Sequence, residues 1–396
     1  MKLMNKIKVV ITHPSQLFER WVNYYCMDTL ADEFQLEYWD CSNIVTPSYK
    51  IKNPTIRSYV KTIESLKHFE SSISKLPPDT VLISEVYQCA ENYDFHKIQS
   101  TYFPNILHFN FYGNIVSGIT LEEEPIESKT KSIKSFLYRS HTIKWIIKWF
   151  FHHNDSDFKK KKIADKCRRL YKGQFEITCQ NWGTNERINH PDFENYLNIK
   201  KTDRLIADDY IVFIDTYYPW HSESFFFGEA PQDIDDVAER YYKSMNEYFE
   251  MLEDKFNIPV VIAAHPYANY RERNPFKGRK VYYYQTDKLI KDCRAVCMHG
   301  SNAFSYVALF NKPVSILINS AIRGTFFGNM AELSAQKFHL PLYNTDNSMS
   351  LDIRFDVMRE DLRMKYINKY LGELTHPKSN KQLIISCINN FYTRYC

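Results

Sequence analysis

The sequence predicts an α/β protein built from two successive units of parallel β-sheet. Short apolar runs alternate with longer segments whose apolar residues recur at helical spacing, which is the pattern of βαβ units. The alternation occurs once before residue 205 and again after it, and a chain of 396 residues is expected to form about two domains. We therefore predict a first domain over 1–205, a second over 206–375, and a C-terminal helix over 376–396 that packs back on the first domain.

The first domain is predicted to start with a strand, since Ile7, Val9, Val10 and Ile11 are nearly consecutive and β-branched. The elements that follow in order are a helix over 18–34, a strand over 36–39, a helix over 58–76 that ends before two prolines, a buried strand over 80–84 and a strand over 106–110. A basic stretch comes next, with helical spacing over 133–151 and over 158–171.

The second domain repeats this alternation after the acidic pair at 208–209. Its predicted elements are a strand over 210–214, a long amphipathic helix over 234–256, strands over 258–264 and 280–284, a helix over 286–292, a strand over 295–298, a helix over 301–310, a strand over 313–318, and helices over 355–371 and 381–395. The strands are near-continuous apolar runs, as expected for a parallel sheet covered on both faces.

Glycine is scarce, and this excludes two common nucleotide-binding motifs. The chain has ten glycines, and they form neither a G-x-G-x-x-G fingerprint nor a P-loop. Nine cysteines without a C-x-x-C pair predict a reduced protein with buried thiols. We expect a cytoplasmic protein, because we find no signal peptide and no apolar run of membrane-spanning length. No D-x-D motif follows a strand, so we expect no metal and no cofactor.

Polar residues that directly follow strands are the candidate ligand-binding residues, since open parallel sheets bind ligands beyond the carboxyl ends of their strands. His265-Pro266 follows one strand, and its imidazole can donate to a phosphate oxygen, or it is a structural histidine. Gly300-Ser301-Asn302 follows another. There the glycine would allow a close turn and the next helix would present its amides to an anion, unless these residues form a plain helix cap.

Three further segments complete the candidate site. The loop that begins Asp215-Thr216-Tyr217 would contact a diphosphate or an acceptor sugar, or is an ordinary aromatic turn. His13 and Glu85 follow neighbouring strands of the first domain and are candidate general bases for an acceptor hydroxyl. The candidate catalytic residues are thus Glu85, His13 and Asp215. The candidate binding residues are His265, Pro266, Gly300, Ser301, Asn302, Thr216, Tyr217, and the cations Arg271 and Lys312.

The segment 208–320 resembles the donor-binding half of the GT-B glycosyltransferases of bacterial capsule and surface polysaccharide synthesis. His265-Pro266 is similar to the His-Pro motif of bacterial sialyl- and Kdo-transferases, and Gly300-Ser301 is similar to their Ser/Thr motif. The residues 308–314 look like the ending of many GT-B donor domains. The resemblance implies two Rossmann-like domains facing across a cleft, with His265, Ser301 and Asn302 on the donor phosphate. The chain departs from the pattern by lacking a glutamate between 301 and 312.

The resemblance implies a glycosyltransferase that moves a sugar from a nucleotide sugar, CMP-linked or another, to an oligosaccharide or lipid-linked glycan. The transfer would be metal-independent and inverting. Negative charge on the leaving phosphate would be stabilised by helix amides, His265, and Arg271 or Lys312. Two alternatives stay open. One is a polyol-phosphate transferase of the CDP-glycerol type, and the other is a non-catalytic partner in capsule assembly.

The basic stretch over 129–172 allows two interpretations. It holds fourteen Lys or Arg against three acidic residues, with Trp145 and Trp149 among them. A basic aromatic helix is suited to lying on the anionic inner surface of a cytoplasmic membrane. The alternative is an amphipathic helix that packs on the domain with its lysines in solvent. We expect no nucleic-acid partner, because no recognisable binding module accompanies the charge.

Overall fold

A computed structural model of the protein shows two parallel β-sheets covered by helices. The residues that the structure describes are 6–47, 54–89, 91–110, 166–179, 186–221, 231–266, 268–271, 274–350 and 352–396. The predicted helix over 133–151, and most of the basic stretch around it, lie outside these residues. Among the described residues, no helix combines the length and the apolar character needed to cross a bilayer.

The first sheet has seven strands, all parallel. The strands are β1 Lys8–His13, β2 Gln35–Asp40, β3 Val60–Thr62, β4 Val81–Ser84, β5 Asn105–Asn110, β6 Gly173–Thr178 and β7 Glu186–Arg187. They lie in the order β3-β2-β1-β4-β5-β6-β7. The helices of this unit are α1 Glu19–Tyr24, α2 Met27–Glu33, α3 Ser42–Val45, α4 Leu66–Ile73 and α5 Tyr93–Tyr102.

Two predicted helices of this unit differ in the structure. The helix predicted over 18–34 is broken at Cys26, which has a left-handed φ of 52°. The apolar spacing continues across the break, because Val22 and Leu30 face the same core. The helix predicted over 58–76 starts instead as strand β3, which pairs with β2. Helix α4 begins only after Ser65, whose hydroxyl caps it by accepting the backbone N–H of His68.

The second sheet has six parallel strands. Its elements, from the helix that precedes it, are α6 Pro191–Ile199, β8 Ile211–Ile214, α7 Ile234–Phe256, β9 Val260–Ala264, β10 Val281–Tyr283, α8 Thr286–Asp292, β11 Ala295–Met298, α9 Phe304–Phe310, β12 Val314–Ile318, α10 Phe326–Phe338, β13 Leu342–Asn344, α11 Glu360–Tyr366, a π-helical turn Ile367–Leu371, and α12 Asn380–Tyr395. The strand order is β10-β9-β8-β11-β12-β13.

The two sheets have the same strand order. Counted from the first strand of each unit, the order begins 3-2-1-4-5-6, which is the Rossmann order. The predicted fold class, α/β with two Rossmann-like units and C-terminal helices, is therefore confirmed. Strand order reverses between β1 and β4 in the first sheet and between β8 and β11 in the second. The carboxyl ends of these strand pairs are the expected ligand positions, and we call them the first and second switch points.

Helices cover both faces of each sheet, so the central strands are buried on both sides. In β8, Val212 and Ile214 belong to one core, and Ile211 and Phe213 belong to the other. This two-sided burial explains why the strands are continuous apolar runs in the sequence. The long helix α7 covers one of these faces through its buried aromatic residues.

Two helices near the junction connect the units. Helix α12 packs on the first sheet, where Ile384 and Ile388 join the core of β1. Helix α6 lies before the predicted boundary at 205, yet Phe193 belongs to a core of the second sheet. Its Asn195 amide donates to Asp287 on α8 at 2.7 Å. The chain therefore passes from the first sheet to the second before α6 begins.

Candidate active site

Asp215 is the centre of a buried hydrogen-bond cluster at the end of β8. Its Oδ1 accepts the backbone N–H of Tyr217 at 2.9 Å. Its Oδ2 accepts the Tyr270 hydroxyl at 2.9 Å and the backbone N–H of His265 at 3.3 Å. Burial raises the pKa of Asp215 to about 6, although these donors act in the opposite direction. The carboxyl group thus fixes the loops that follow β8 and β9, and its catalytic assignment stays a prediction.

Two histidines meet at this edge of the second sheet. The Nε2 atoms of His221 and His265 lie 3.2 Å apart, with the rings nearly perpendicular. Burial, followed by the nearby His221, lowers the pKa of His265 to about 4, so His265 is neutral near pH 7. A hydrogen bond between the two rings requires a proton on one Nε2 and none on the other. Pro266 is held beside them, because its carbonyl accepts the Tyr284 hydroxyl at 3.2 Å.

The close approach of α10 explains the glycine after β11. A Cβ at Gly300 would lie 2.3 Å from Met330 Cβ and 3.0 Å from the carbonyl oxygen of Phe327. Neighbouring His299 is fully buried, with Nδ1 at 2.8 Å from the Leu317 carbonyl and Nε2 at 2.9 Å from the Tyr241 hydroxyl. Gly300 is therefore required by packing, whether or not a ligand approaches it.

Helix α9 begins three residues later than the sequence predicts. Residues 302–303 form a turn, and the first helical residue is Phe304. The Ser301 hydroxyl accepts the backbone N–H of Ala303 at 3.3 Å, so it caps this turn. Asn302 is exposed. The predicted helix start at 301 was wrong because the Ser301 bond stabilises the turn ahead of the helix.

The remaining predicted residues lie at opposite ends of the strands of the second sheet. Thr216 is buried beside Asp215, and Tyr217 adopts a left-handed φ of 55°. Arg271 is exposed, with its guanidinium 5.5 Å from the centroid of the Tyr283 ring. Lys312 precedes β12 and donates to the Cys293 carbonyl at 3.0 Å, which places it at the amino ends of the strands. The structure does not bring Lys312 to the other predicted residues.

His13 and Glu85 meet at the first switch point. Their side chains are each about 5% exposed, and His13 Nε2 lies 3.3 Å from Glu85 Oε2. The Tyr25 hydroxyl donates to the same oxygen at 2.8 Å. His13 Nδ1 lies 3.1 Å from the Ser15 backbone nitrogen and 3.2 Å from the Ser15 carbonyl oxygen. Because a carboxylate oxygen only accepts, the His13 nitrogen that faces it, Nε2, carries a proton. His13 and Tyr25 therefore both donate to Oε2 and hold the carboxyl group in one orientation.

The other oxygen of Glu85 has no partner. Glu85 Oε1 is buried and accepts no hydrogen bond from the residues that the structure describes. A buried acceptor left without a donor costs free energy, so native proteins seldom keep one without a role. A hydroxyl group of a bound molecule is a suitable donor for this oxygen.

A buried polar network lies behind the first switch point, and its hydrogen bonds were not predicted from the sequence. The Thr12 hydroxyl is 3.2 Å from Gln99 Oε1, and Gln99 Nε2 donates to the Tyr171 hydroxyl at 2.9 Å. The Tyr171 hydroxyl also lies 2.8 Å from His96 Nδ1, and His96 Nε2 lies 3.1 Å from the Tyr87 carbonyl. Burial lowers the pKa of His96 to about 4. The network joins the strand residue before His13 to the loop that carries Glu85.

Tyr87 is an exposed ring on a fixed backbone. Its carbonyl accepts the Asn92 side-chain amide at 3.0 Å in addition to the contact with His96. Its ring is nevertheless 57% exposed, two residues after Glu85. An exposed aromatic ring two residues from a buried carboxylate is a suitable surface for stacking a sugar. Sequence analysis missed Tyr87, because exposure at the end of a strand has no signal in residue type.

Comparisons with known proteins give similarity in structure alone. The sequence matches no protein-family model and no curated protein. Among solved structures, UDP-GlcNAc 2-epimerase from Methanocaldococcus jannaschii is 11% identical, with 97% of this chain and 99% of that chain covered and a TM-score of 0.45. A variant of the wall teichoic acid polymerase TagF is 8% identical, with 98% and 89% covered and a TM-score of 0.47. A 2,6-sialyltransferase of Photobacterium sp. JT-ISH-224, in complex with CMP and lactose, is 10% identical, with 86% and 78% covered and a TM-score of 0.46.

Proposed function

We propose that the protein is a glycosyltransferase that moves a sugar from a nucleotide sugar to a glycan hydroxyl. The observation that carries this proposal is Oε1 of Glu85, which has no hydrogen-bond partner among the described residues and lies next to an oxygen that His13 and Tyr25 hold. An acceptor hydroxyl would donate its hydrogen bond to Oε1. Glu85 would take the proton as the hydroxyl oxygen forms its bond to the anomeric carbon. A single base acting this way gives direct displacement, and so inversion.

The second switch point would hold the donor. As the bond between the anomeric carbon and the phosphate oxygen breaks, negative charge develops on the leaving phosphate. When the donor binds, the hydrogen bond between His221 and His265 would open, and the ring that carries the Nε2 proton would donate it to this phosphate. The Ser301 hydroxyl follows β11, the strand that pairs with β8. Asp215 would act as a positioning residue, because its oxygens hold the backbone of Tyr217 and His265.

A nucleotide screen tests the donor assignment. We expect CMP, UDP or GDP to raise the melting temperature of the protein, and His265→Gln to reduce that shift. Lys312→Gln is the matched control, since Lys312 lies at the opposite ends of the strands. If none of these nucleotides stabilises the protein, the proposal of a nucleotide-sugar donor is wrong. The nucleotide that does stabilise it then selects the donor for a transfer assay, with a CMP-linked sugar tested first.

The paired imidazoles favour one second candidate, a polyol-phosphate transferase of the CDP-glycerol type. One ring of the pair could accept a proton from an attacking hydroxyl while the other donates to the phosphate. The two activities differ in their products, because the polyol transferase leaves phosphorus in the acceptor and the glycosyltransferase does not. Incubation with CDP-glycerol labelled in the phosphate next to glycerol distinguishes them.

A further inference from the structure

A cavity lies on the face of the first sheet that α4 covers, away from both switch points. Its volume is about 390 Å³, within the range of small-molecule sites. We call it the side cavity. Its lining includes Lys8, Glu37, Trp39, Lys61, His68 and Lys75. Lys8 and Gln35 are the first residues of β1 and β2, whereas His13 is the last residue of β1, so this cavity is not the candidate active site.

Each oxygen of Glu37, the carboxylate that lines the side cavity, already accepts one hydrogen bond. Glu37 Oε1 accepts the Lys8 ammonium, and Oε2 accepts the indole N–H of Trp39 at 2.6 Å. Burial acts to raise the pKa of Glu37, but the two hydrogen bonds, together with the positive charges of Lys8 and Lys61, outweigh it, and the pKa lies below its ordinary value. Glu37 is therefore ionised and has little capacity left to bind a further cation.

The other polar groups of the side cavity are mainly donors. The Lys61 ammonium lies 4.7 Å from the centroid of the Trp39 ring, and Lys75 is exposed at the rim. Within the described ranges, neither lysine forms an ion pair. His68 Nδ1 accepts the backbone N–H of Glu64 at 3.3 Å, which leaves a proton on Nε2. Hydroxyl groups of two serines add to this set.

The charge of the lining selects the chemistry of its ligand. Three lysines and one glutamate give a formal charge of +2 with His68 neutral. A phosphate monoester carries about −1.5 to −2 at pH 7 and offers three acceptor oxygens. We propose that the side cavity binds a small phosphorylated molecule, with Lys61 and Lys75 on the phosphate. The volume leaves room for an organic group, which could belong to a free sugar phosphate or to a lipid headgroup.

Titration calorimetry on the full chain tests the proposal with glucose 6-phosphate as the probe. Flotation with phosphatidylcholine vesicles that contain phosphatidic acid tests the lipid source. Binding of either probe supports the shared chemistry, provided that Lys61→Gln and Lys75→Gln each weaken it about tenfold, as expected for loss of one charged hydrogen bond. Lys67→Gln is the matched control, because Lys67 lies on α4, is exposed and does not line the cavity.

Three results would overturn the proposal. The first is that neither probe binds. The second is that binding is unchanged in Lys61→Gln and Lys75→Gln. The third is that citrate, which is a polycarboxylate, binds as tightly as glucose 6-phosphate. Lys61→Arg keeps the charge and should keep the binding, which separates loss of the site from loss of the fold. The assignment is independent of the proposed glycosyl transfer, since no residue of either switch point takes part.

Discussion

Replacing Gly300 with alanine should destabilise the second sheet and its covering helix. The added Cβ would lie 2.3 Å from Met330 Cβ, 3.0 Å from the Phe327 carbonyl oxygen and 3.1 Å from the Ala331 nitrogen. The severe contact is with Met330 Cβ, whose position is set by the backbone of α10, so the helix must move and a change of rotamer cannot relieve the clash. Inserting a methyl group into a packed core costs about 1–3 kcal/mol, and a backbone clash lies at the upper end of that range.

The effect is large enough to measure by thermal unfolding. A loss of about 3 kcal/mol lowers the melting temperature of a domain of 150–250 residues by roughly 6–12 °C. Urea unfolding of Gly300→Ala should show a lower midpoint with an unchanged slope. Ser301→Ala is the control at the next position. It removes one capping hydrogen bond and should cost about 1 kcal/mol.

A second substitution isolates the contact that causes the effect. Met330→Gly removes the atom at 2.3 Å and leaves the two contacts near 3 Å, which small movements can relieve. Gly300→Ala should therefore cost clearly less in the Met330→Gly background than in the natural one. Equal costs in both backgrounds, or an unchanged melting temperature of Gly300→Ala, would refute the packing explanation. The glycine would then be needed only by a ligand.

Three further outcomes follow from the site and its buried groups. Glu85→Gln should lower kcat by about 10²–10⁴-fold while leaving nucleotide binding unchanged, and an equal loss of both would contradict its role as base. Tyr87→Ala should raise the acceptor KM about tenfold, because it removes stacking worth about 1 kcal/mol or more. Tyr102 is also an exposed tyrosine but lies at the end of α5, so Tyr102→Ala should leave this KM unchanged. Burial lowers the pKa of His96 and of His299 from 6.5 to about 4. The unfolded state therefore binds more protons between these values, and each histidine should cost up to about 3 kcal/mol of stability as the pH falls from 6.5 to 4. In urea unfolding across that range, removing one histidine by His96→Gln or His299→Gln should remove its share of the loss, and an unchanged loss would show that this histidine is charged in the folded state.

Elements with strong local signals were predictable from the sequence. Helix α7 has the predicted bounds, because Asp233 caps its start and Asn257 ends it in a left-handed conformation. Strand β6 was missed, because it mixes polar and apolar residues and because its partner β5 lies more than sixty residues earlier in the sequence. Helix α10 was also missed. It contains Gly328, which is a poor helix residue but is required where a Cβ would meet the Ile322 carbonyl at 2.2 Å.

The sequence predicted those contacts of the candidate site that involve residues directly following strands, but not the contacts that depend on loops. His13 and Glu85 follow strands that become neighbours, so their contact follows from the strand order. The contact of His221 with His265 depends on the path of a loop, and no residue spacing encodes that path. Lys312 was predicted as a cation near the donor phosphate, but it precedes a strand and so lies at the amino ends of the sheet.

Helix α12 determines the order in which the units can be completed during synthesis. Ile384, Ile388 and Phe391 close the core around β1, so the first sheet to be synthesised is finished by some of the latest residues of the described chain. The strands of the second sheet all precede α12 and can pair before it leaves the ribosome. The core around β1 is therefore complete only once α12 has been synthesised. A chain interrupted before residue 380 would keep the second core and leave an apolar face open on the first.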